Sequence, residues 1–442
     1  MIPVVGFDRF LMAFSLAVHI ILASVGIALP VIIVLAEILG IRKRDRHYEV
    51  MAKRLSLVLV VLFGIGTASG TLVAMELFLL WPSFMTLVGQ VAILPVYIEV
   101  FAFFLEAIFL AVYIYSWDKF ENRYAHAMVG VLVAIGAVAS GILITMLNSF
   151  MNTPVGFNIQ EYLQNGVVTG INPLAVFWAP ATGIEVAHVV VTTYFAGTFI
   201  FCAYMALMLL RCREAERGYY RKGLKLTFAI LVFATLLSVY TGVNSINTLA
   251  SIQPEKYAAL EGNLNTTANA PELLFGYLSN NTVKGAIVIP GLQSQLLGGP
   301  NVIAPGLLQY PKSTWPPFVV HDMFNVMVIL GFGFGIFILF VLSLTAIRKR
   351  PFERRPILWL FVIAGVFAVA LMELGWATAE VARQPWIIYN VMLVSQAANY
   401  SQSVLPIVIA LVIVYALILP LTLVVLRRLF RGRPLLSDLV GK

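Results

Sequence analysis

Long apolar runs alternate with short charged segments along the whole chain. A membrane-spanning helix needs about 20 mostly apolar residues. Nine stretches qualify, at roughly 10–40, 55–81, 86–116, 125–150, 185–210, 224–250, 318–346, 356–381 and 402–426. The pattern predicts an all-α integral membrane protein with about nine transmembrane helices in bundles. The first run is too long for a signal-peptide core and no small-x-small site follows it, so it reads as a helix that stays. One connection is long, over residues 251–317, and holds the turn-rich pieces NLNTTANA and LLGGPN. Connections of that length usually carry function or are disordered. The chain divides into helices one to six (1–250), a long loop (251–317), and helices seven to nine with a tail (318–442).

The connections alternate in charge. Basic ones follow the odd-numbered spans: Arg42, Lys43, Arg44, Arg46, Lys53 and Arg54; Lys119 and Arg123; Arg211, Arg213, Arg217, Arg221, Lys222 and Lys225; Arg348, Lys349, Arg350, Arg354 and Arg355; then Arg427, Arg428, Arg431, Arg433 and Lys442. The others hold no Lys or Arg, except for Lys256, Lys284 and Lys312 in the long loop and Arg383 after the eighth span. The positive-inside rule then places the N-terminus and the 251–317 loop outside and the C-terminus in the cytoplasm. Composition agrees, with 60% hydrophobic and 11% charged residues and a mean hydropathy of +0.92. Soluble domains carry about 25% charged residues. The net charge of +8 sits in loops between apolar runs, which does not suit nucleic acid. Cys202 and Cys212 lie in or at the end of one apolar run and give no disulfide framework.

Ionisable groups at membrane depth are costly and mark function. Here they are His19, Glu37, Glu76, Glu99, Glu106, His188, Glu373 and Glu380, with His321 and Asp322 at the mouth of the seventh span. His19 lies ~14 Å into the first helix, where a ligand or proton-relay role outweighs a packed imidazole. Glu99 and Glu106 stand seven residues apart and share one helical stripe, about 10 Å from each other. Glu373 and Glu380 repeat that spacing. His188 and Met327 both fall on the outer side, and an imidazole with a thioether is an axial pair for low-spin haem. His321 is the rival, giving a bis-His site. Five His residues are too few for a haem-copper oxidase, and they do not fall two by two on two helices as a bc-type cytochrome b requires.

The segment Gly375-Trp376-Ala377-Thr378-Ala379-Glu380-Val381-Ala382-Arg383-Gln384-Pro385-Trp386 resembles the GWxxxExGRQPW signature of cytochrome bd oxidase subunit I. Ile98-Glu99 with Ala102-Phe103-Phe104-Leu105-Glu106 looks like the family's IE…AFFLE helix, and Met75-Glu76 like its Met-Glu. Phe324-Asn325-Val326-Met327 resembles the segment with the Met ligand, and Lys256 and Glu261, five apart, resemble the quinol-loop Lys and Glu. The sequence departs from the family at Asn325, where Arg is usual, and at Ala382, where Gly is usual. It also lacks FQFGxNW after the second helix, leaving only Trp81, and the stretch before His188 is longer than usual. These departures mark a divergent branch.

The resemblance implies a quinol:oxygen oxidoreductase of the prokaryotic plasma membrane, without copper, that oxidises quinol outside and reduces O2 to water with cytoplasmic protons. It implies a low-spin haem b on His188 and Met327. His19 and Glu380 would ligate two high-spin haems, one b and one d, or b in its place. Arg383 would pair with a haem propionate or a ligand carboxylate. Trp376 and Trp386 would lie on a porphyrin edge or in the interfacial aromatic belt. Glu99 and Glu106 would carry protons, and Lys256 and Glu261 would bind quinol. The implied partners are quinol, O2, the bilayer, a second membrane subunit and an optional small one, with no nucleic acid. The rivals are a bd-like cytochrome lacking haem d or oxygen activity, and a transporter with midplane carboxylates. In right-side-out vesicles an added protease should cut within 251–317. Cutting there only in inverted vesicles would reverse the topology.

Overall fold

The computed structural model describes residues 4–401, 404–431 and 433–440. In chain order the helices are α1 (Val4–Lys43), α2 (Arg46–Leu80), α3 (Pro82–Val91), α4 (Leu94–Tyr115), α5 (Arg123–Asn152), α6 (Ile159–Asn165), α7 (Thr182–Arg211), α8 (Arg217–Ile252), α9 (Pro254–Glu261), α10 (Leu292–Leu297), α11 (Val319–Ala346), α12 (Arg355–Val381), α13 (Val394–Ala397), α14 (Leu405–Arg431) and α15 (Leu435–Val440). Among the described residues nine helices are long and apolar enough to cross a membrane: α1, α2, α4, α5, α7, α8, α11, α12 and α14.

α1 and α7 are the most buried of the nine. α1 packs on α2, α5 and α7, and α7 also packs on α8 and α12. Where helix backbones close up, side chains are small, as in membrane bundles generally. A Cβ on Gly197 of α7 would stand 2.5 Å from the Ser24 carbonyl of α1, and Gly365 of α12 lies against Ala203 of α7. Leu29, Ile32, Phe199, Cys202, Met205 and Phe361 fill the core around these contacts.

The stretch expected to span 86–116 is two helices. α3 ends at Val91, and α4 starts afresh with Pro95 in its first turn. Proline lacks the N–H an interior turn needs and disfavours helix in the residue before it. α3 packs Phe84, Leu87, Val88 and Val91 into a second core with Leu11, Trp81 and Phe150. Arg46, Lys53 and Arg54, expected in a loop, belong to the first turns of α2, and Arg217, Arg221, Lys222 and Lys225 to those of α8.

Ion pairs draw the basic segments onto one face. Lys222 pairs with Asp45 and Arg123 with Glu49, Arg54 reaches Asp438 at 2.5 Å, and Arg221 reaches Glu353 at 2.9 Å. The opposite face carries the long loop and is called the loop face below. In the long loop, β1 (Thr267–Ala268), β2 (Glu272–Leu274) and β3 (Tyr277–Ser279) turn back through β4 (Thr282–Lys284), β5 (Ile287–Ile289) and β6 (Ile303–Ala304). The pairs β1·β6, β2·β5 and β3·β4 are antiparallel and nested, so the loop is one long hairpin with α10 in its return limb. After α12, β7 (Trp386–Ile388) pairs with β8 (Met392–Leu393). These short strands are the only β-structure among the described residues of an otherwise helical chain.

α9 ends on Gly262 at φ +71°, where a Cβ would stand 2.8 Å from Cε1 of His321. His321 is fully buried at the head of α11, with Nδ1 2.7 Å from the Leu260 carbonyl and Nε2 3.3 Å from that of Phe275. Asn325, one turn on, donates to the His321 carbonyl at 2.8 Å. The loop is thereby fastened to α11. Gly262→Ala should cost about 1–2 kcal/mol from the left-handed backbone alone and more from the contact with His321. Limited proteolysis within 253–317 should accelerate. An unchanged cleavage rate and melting temperature would show that the fastening is unimportant.

Candidate functional site

His19 and His188 are held by the same device. His19 Nδ1 lies 2.9 Å from Ser69 Oγ of α2, and that hydroxyl donates to the Gly66 carbonyl at 2.9 Å. His188 Nδ1 lies 2.9 Å from Thr241 Oγ1 of α8, whose hydroxyl donates to the Leu237 carbonyl at 2.9 Å. Each hydroxyl has its single proton engaged and so accepts from Nδ1–H. Nε2 of each ring then keeps its lone pair, the tautomer a metal ligand needs. Small residues sit beside both rings. A Cβ on Gly70 would be 3.0 Å from His19 Cε1, and one on Gly242 would be 3.6 Å from His188 Cε1. Ser238 and Ser245, on the α8 stripe of Thr241 and Gly242, have buried hydroxyls without partners among the described residues.

The other three His are engaged. Both His321 ring nitrogens face carbonyls. His126 lies between Glu37 and the Tyr113 carbonyl. His47 is bonded to Asp45 and Lys222. Met327 of α11 presents its sulphur to α12, 3.6 Å from where a Cβ on Gly375 would stand. His188 and Met327 lie about 9 and 12 Å below the loop-face ends of their helices, from the residue rise.

A buried polar network lies above them on the loop face, centred on the amide of Asn152. Asn152 Nδ2 donates to Asn148 Oδ1 (3.0 Å) and Glu185 Oε1 (2.8 Å). Asn152 Oδ1 accepts from Lys256 Nζ (3.3 Å) and an Arg383 guanidinium nitrogen (3.4 Å). Arg383 also pairs with Glu380, whose other oxygen accepts from Asn148 at 2.8 Å. Ser149 donates to Glu185 at 2.7 Å. Arg383 is 3% exposed, and its Nε is buried without a partner among the described residues. That orphaned donor suits an added carboxylate, as haem propionates provide. Lys256 is 6% exposed, and burial, helped by the Arg383 charge, pushes it down to about 8.

Lys256 and Glu261 are both buried and turn apart. Lys256 turns into the bundle, while Glu261 turns to Glu272 of β2 and Gln293 of α10. Burial and then Glu272 raise the Glu261 carboxyl well above its ordinary value. On α4, Glu99 accepts from Ser140 of α5, and Glu106 packs where a Cβ on Gly136 of α5 would stand 2.7 Å from its nitrogen. The two carboxylates therefore share the α5-facing stripe. Glu76 accepts from Ser15 at 2.8 Å. Glu373 keeps one buried oxygen without a partner among the described residues. Trp376 packs partly buried against the main core, and Trp386 stands in β7.

Glu185, Asn148, Ser149 and Asn152 are absent from the sequence reading. Glu185 stands at the first residue of its apolar run, where an acid reads as an ordinary helix start. The trio on α5 closes its run and reads as a helix end, although Asn148 and Asn152 are one turn apart on one face.

The fold and side chains define a class: a multi-pass helical membrane protein whose singly standing imidazoles and thioether are donors of the kind that suits haem iron. The family model described as cytochrome bd terminal oxidase subunit I matches residues 7–434, and the chain belongs to that family. It is 36% identical over 98% of its length to a Bacillus subtilis (strain 168) protein named as a cytochrome bd menaquinol oxidase subunit I, covering 97% of that protein. It is 27% identical to the cytochrome bd ubiquinol oxidase subunit 1 of the same organism, over 86% of this chain and 83% of the other. The solved bd oxidase from Geobacillus thermodenitrificans superimposes with a TM-score of 0.88 at 36% identity, over 98% of this chain and 99% of that one. The chain is thus a subunit of a terminal respiratory quinol:oxygen oxidoreductase of the plasma membrane, in a family that carries haem.

Proposed function

We propose that the chain oxidises quinol at its loop face, lying outside, and reduces O2 to water with protons taken from the cytoplasm at its basic face. The observation that carries this reading is the matched state of His19 and His188, each with Nδ1 tied to an engaged hydroxyl and Nε2 left with its lone pair. His188 and Met327 hold a low-spin haem b. His19 and Glu380 hold the two high-spin haems, one b and one d, or b in its place. Haem, when bound, supplies one-electron transfer and an iron that binds oxygen.

The protein's own groups do the rest. Arg383, whose Nε has no partner among the described residues, would hold a propionate when haem is bound, and it pairs with Glu380. Glu261, which shares its buried site with Glu272, takes a proton from the quinol hydroxyl when that pair is ionised. Lys256 places positive charge beside the quinol oxygen. Glu106, deeper from the loop face than Glu99, passes protons on from the basic face toward Glu99, and Trp376 would lie on a porphyrin edge when haem is bound. The loop 251–317 is the quinol region between the two helical parts, 1–250 and 318–442. The apolar outer face of α4, with Phe101, Phe104 and Ile108 exposed, suits lipid or a second membrane subunit, with a small extra subunit as a further partner.

Met327→Leu keeps volume and removes the thioether. The low-spin spectrum should vanish while the remaining haem signals persist, and an unchanged low-spin spectrum would refute the ligand. Glu261→Gln should lower quinol turnover about tenfold or more at unchanged haem content. Wild-type turnover and quinol affinity would remove Glu261 from the site.

A further inference from the structure

Three proton-bearing side chains follow one another at seven-residue spacing on α4: Glu99, Glu106 and Tyr113. Each faces α5 at a residue with little or no side chain. Ser140 meets Glu99, and Gly136 meets Glu106. A Cβ on Gly130 would stand 2.9 Å from the Tyr113 ring. The α4–α5 seam thus continues past Glu106 toward the basic face.

At its end the Tyr113 hydroxyl donates to Glu37 Oε2 of α1 at 2.7 Å. The other Glu37 oxygen lies 2.6 Å from His126 Nδ1 of α5, and His126 Nε2 lies 2.9 Å from the Tyr113 carbonyl. A carbonyl only accepts, so Nε2 carries a hydrogen. One further proton is shared between Nδ1 and the Glu37 carboxyl. Glu37 is 1% exposed and His126 2%. His126 lies in the first turn of α5, and Glu37 about 9 Å from the basic end of α1. A buried ionisable pair is weak evidence for stability, so holding α1, α4 and α5 together does not explain why titratable groups occupy the spot.

We propose that His126, Glu37 and Tyr113 form the basic-face mouth of the proton route to Glu106; this rests on the proton-carrying role given to Glu106 above. His126 turns its ring to water and takes a proton on Nδ1, which leaves the formerly shared proton on Glu37. The Tyr113 hydroxyl turns away from Glu37 and releases its hydrogen inward as Glu37 protonates the phenol oxygen, and His126 swings back to return its extra proton to Glu37. Each group is restored, one proton has advanced, and no electron is exchanged. About 10 Å along α4 separates Tyr113 from Glu106, a distance that transient water must bridge. A small void with an apolar lining, Leu59, Leu110, Tyr113 and Gly130 among it, adjoins that gap.

The test uses the whole oxidase with its partner subunit. Tyr113→Phe keeps the ring packing and removes only the hydroxyl, and Glu37→Gln keeps the shape. In both, oxygen consumption per haem should fall at least about tenfold, with a larger solvent deuterium isotope effect and unchanged haem spectra. Wild-type rates and isotope effects in both, beside a slow Glu106→Gln, would overturn the mouth and leave the Glu106 role standing. A lower melting temperature with unchanged turnover per haem would also overturn it, because the cluster would then be only a fastening. Wild-type rates in Glu106→Gln itself would show that the underlying role had failed, and the mouth with it.

Discussion

The side-chain amide of Asn152 meets four partners and has no spare donor or acceptor. Its two hydrogens go to Asn148 and Glu185, and its oxygen takes Lys256 and Arg383. Its backbone carbonyl accepts from Gln253 at 3.0 Å. Two cations and two carboxylates are thereby held inside a low-dielectric bundle, where an unpaired charge costs several kcal/mol. The same contacts set α5, α7, α9 and the end of α12 in register. Glu380 and Arg383 are placed from one side of this hub, and Glu185, one turn before His188, from another. The chemistry proposed for the loop face depends on this arrangement.

Beneath the hub, the imidazoles are controlled by hydroxyls rather than by charges. A carboxylate on Nδ1–H of His19 or His188 would add a charge at membrane depth and make Nε2 more basic. Ser69 and Thr241, each already bonded to a carbonyl of its own helix, accept from Nδ1 and add no charge. The contrast with His126, paired to Glu37, separates imidazoles suited to a metal from one suited to a proton. Asn325 takes a quieter part than the Arg usual at its position. It braces His321, which in turn holds the end of α9, so the loop is fastened through an imidazole and an amide.

Much of the fold was legible because hydrocarbon permits few alternatives. Twenty apolar residues in a row can only span or be buried, and basic loops mark one side. Pro95 was the readable sign that the stretch 86–116 is two helices. His19, His188 and the Glu99–Glu106 stripe stood out because they are polar residues in apolar runs. The partners that give them chemical meaning did not. Ser69 and Thr241 look like any helix hydroxyl until their acceptors are seen. Glu185 and Asn152 lie at the ends of runs, where polarity is expected. Tyr113 passes for an interfacial aromatic, and its place on the Glu99–Glu106 stripe shows only when the seven-residue count is carried past the carboxylates.

The proposed chemistry stands or falls with iron ligation by His19 and His188. It is tested most directly by pyridine haemochrome analysis and a reduced-minus-oxidised spectrum of the purified protein, beside His19→Ala and His188→Ala. The unaltered protein should carry haem, His188→Ala should lose the low-spin signal alone, and His19→Ala should lose a high-spin signal alone. A colourless protein, or one whose spectrum survives both replacements, would contradict it.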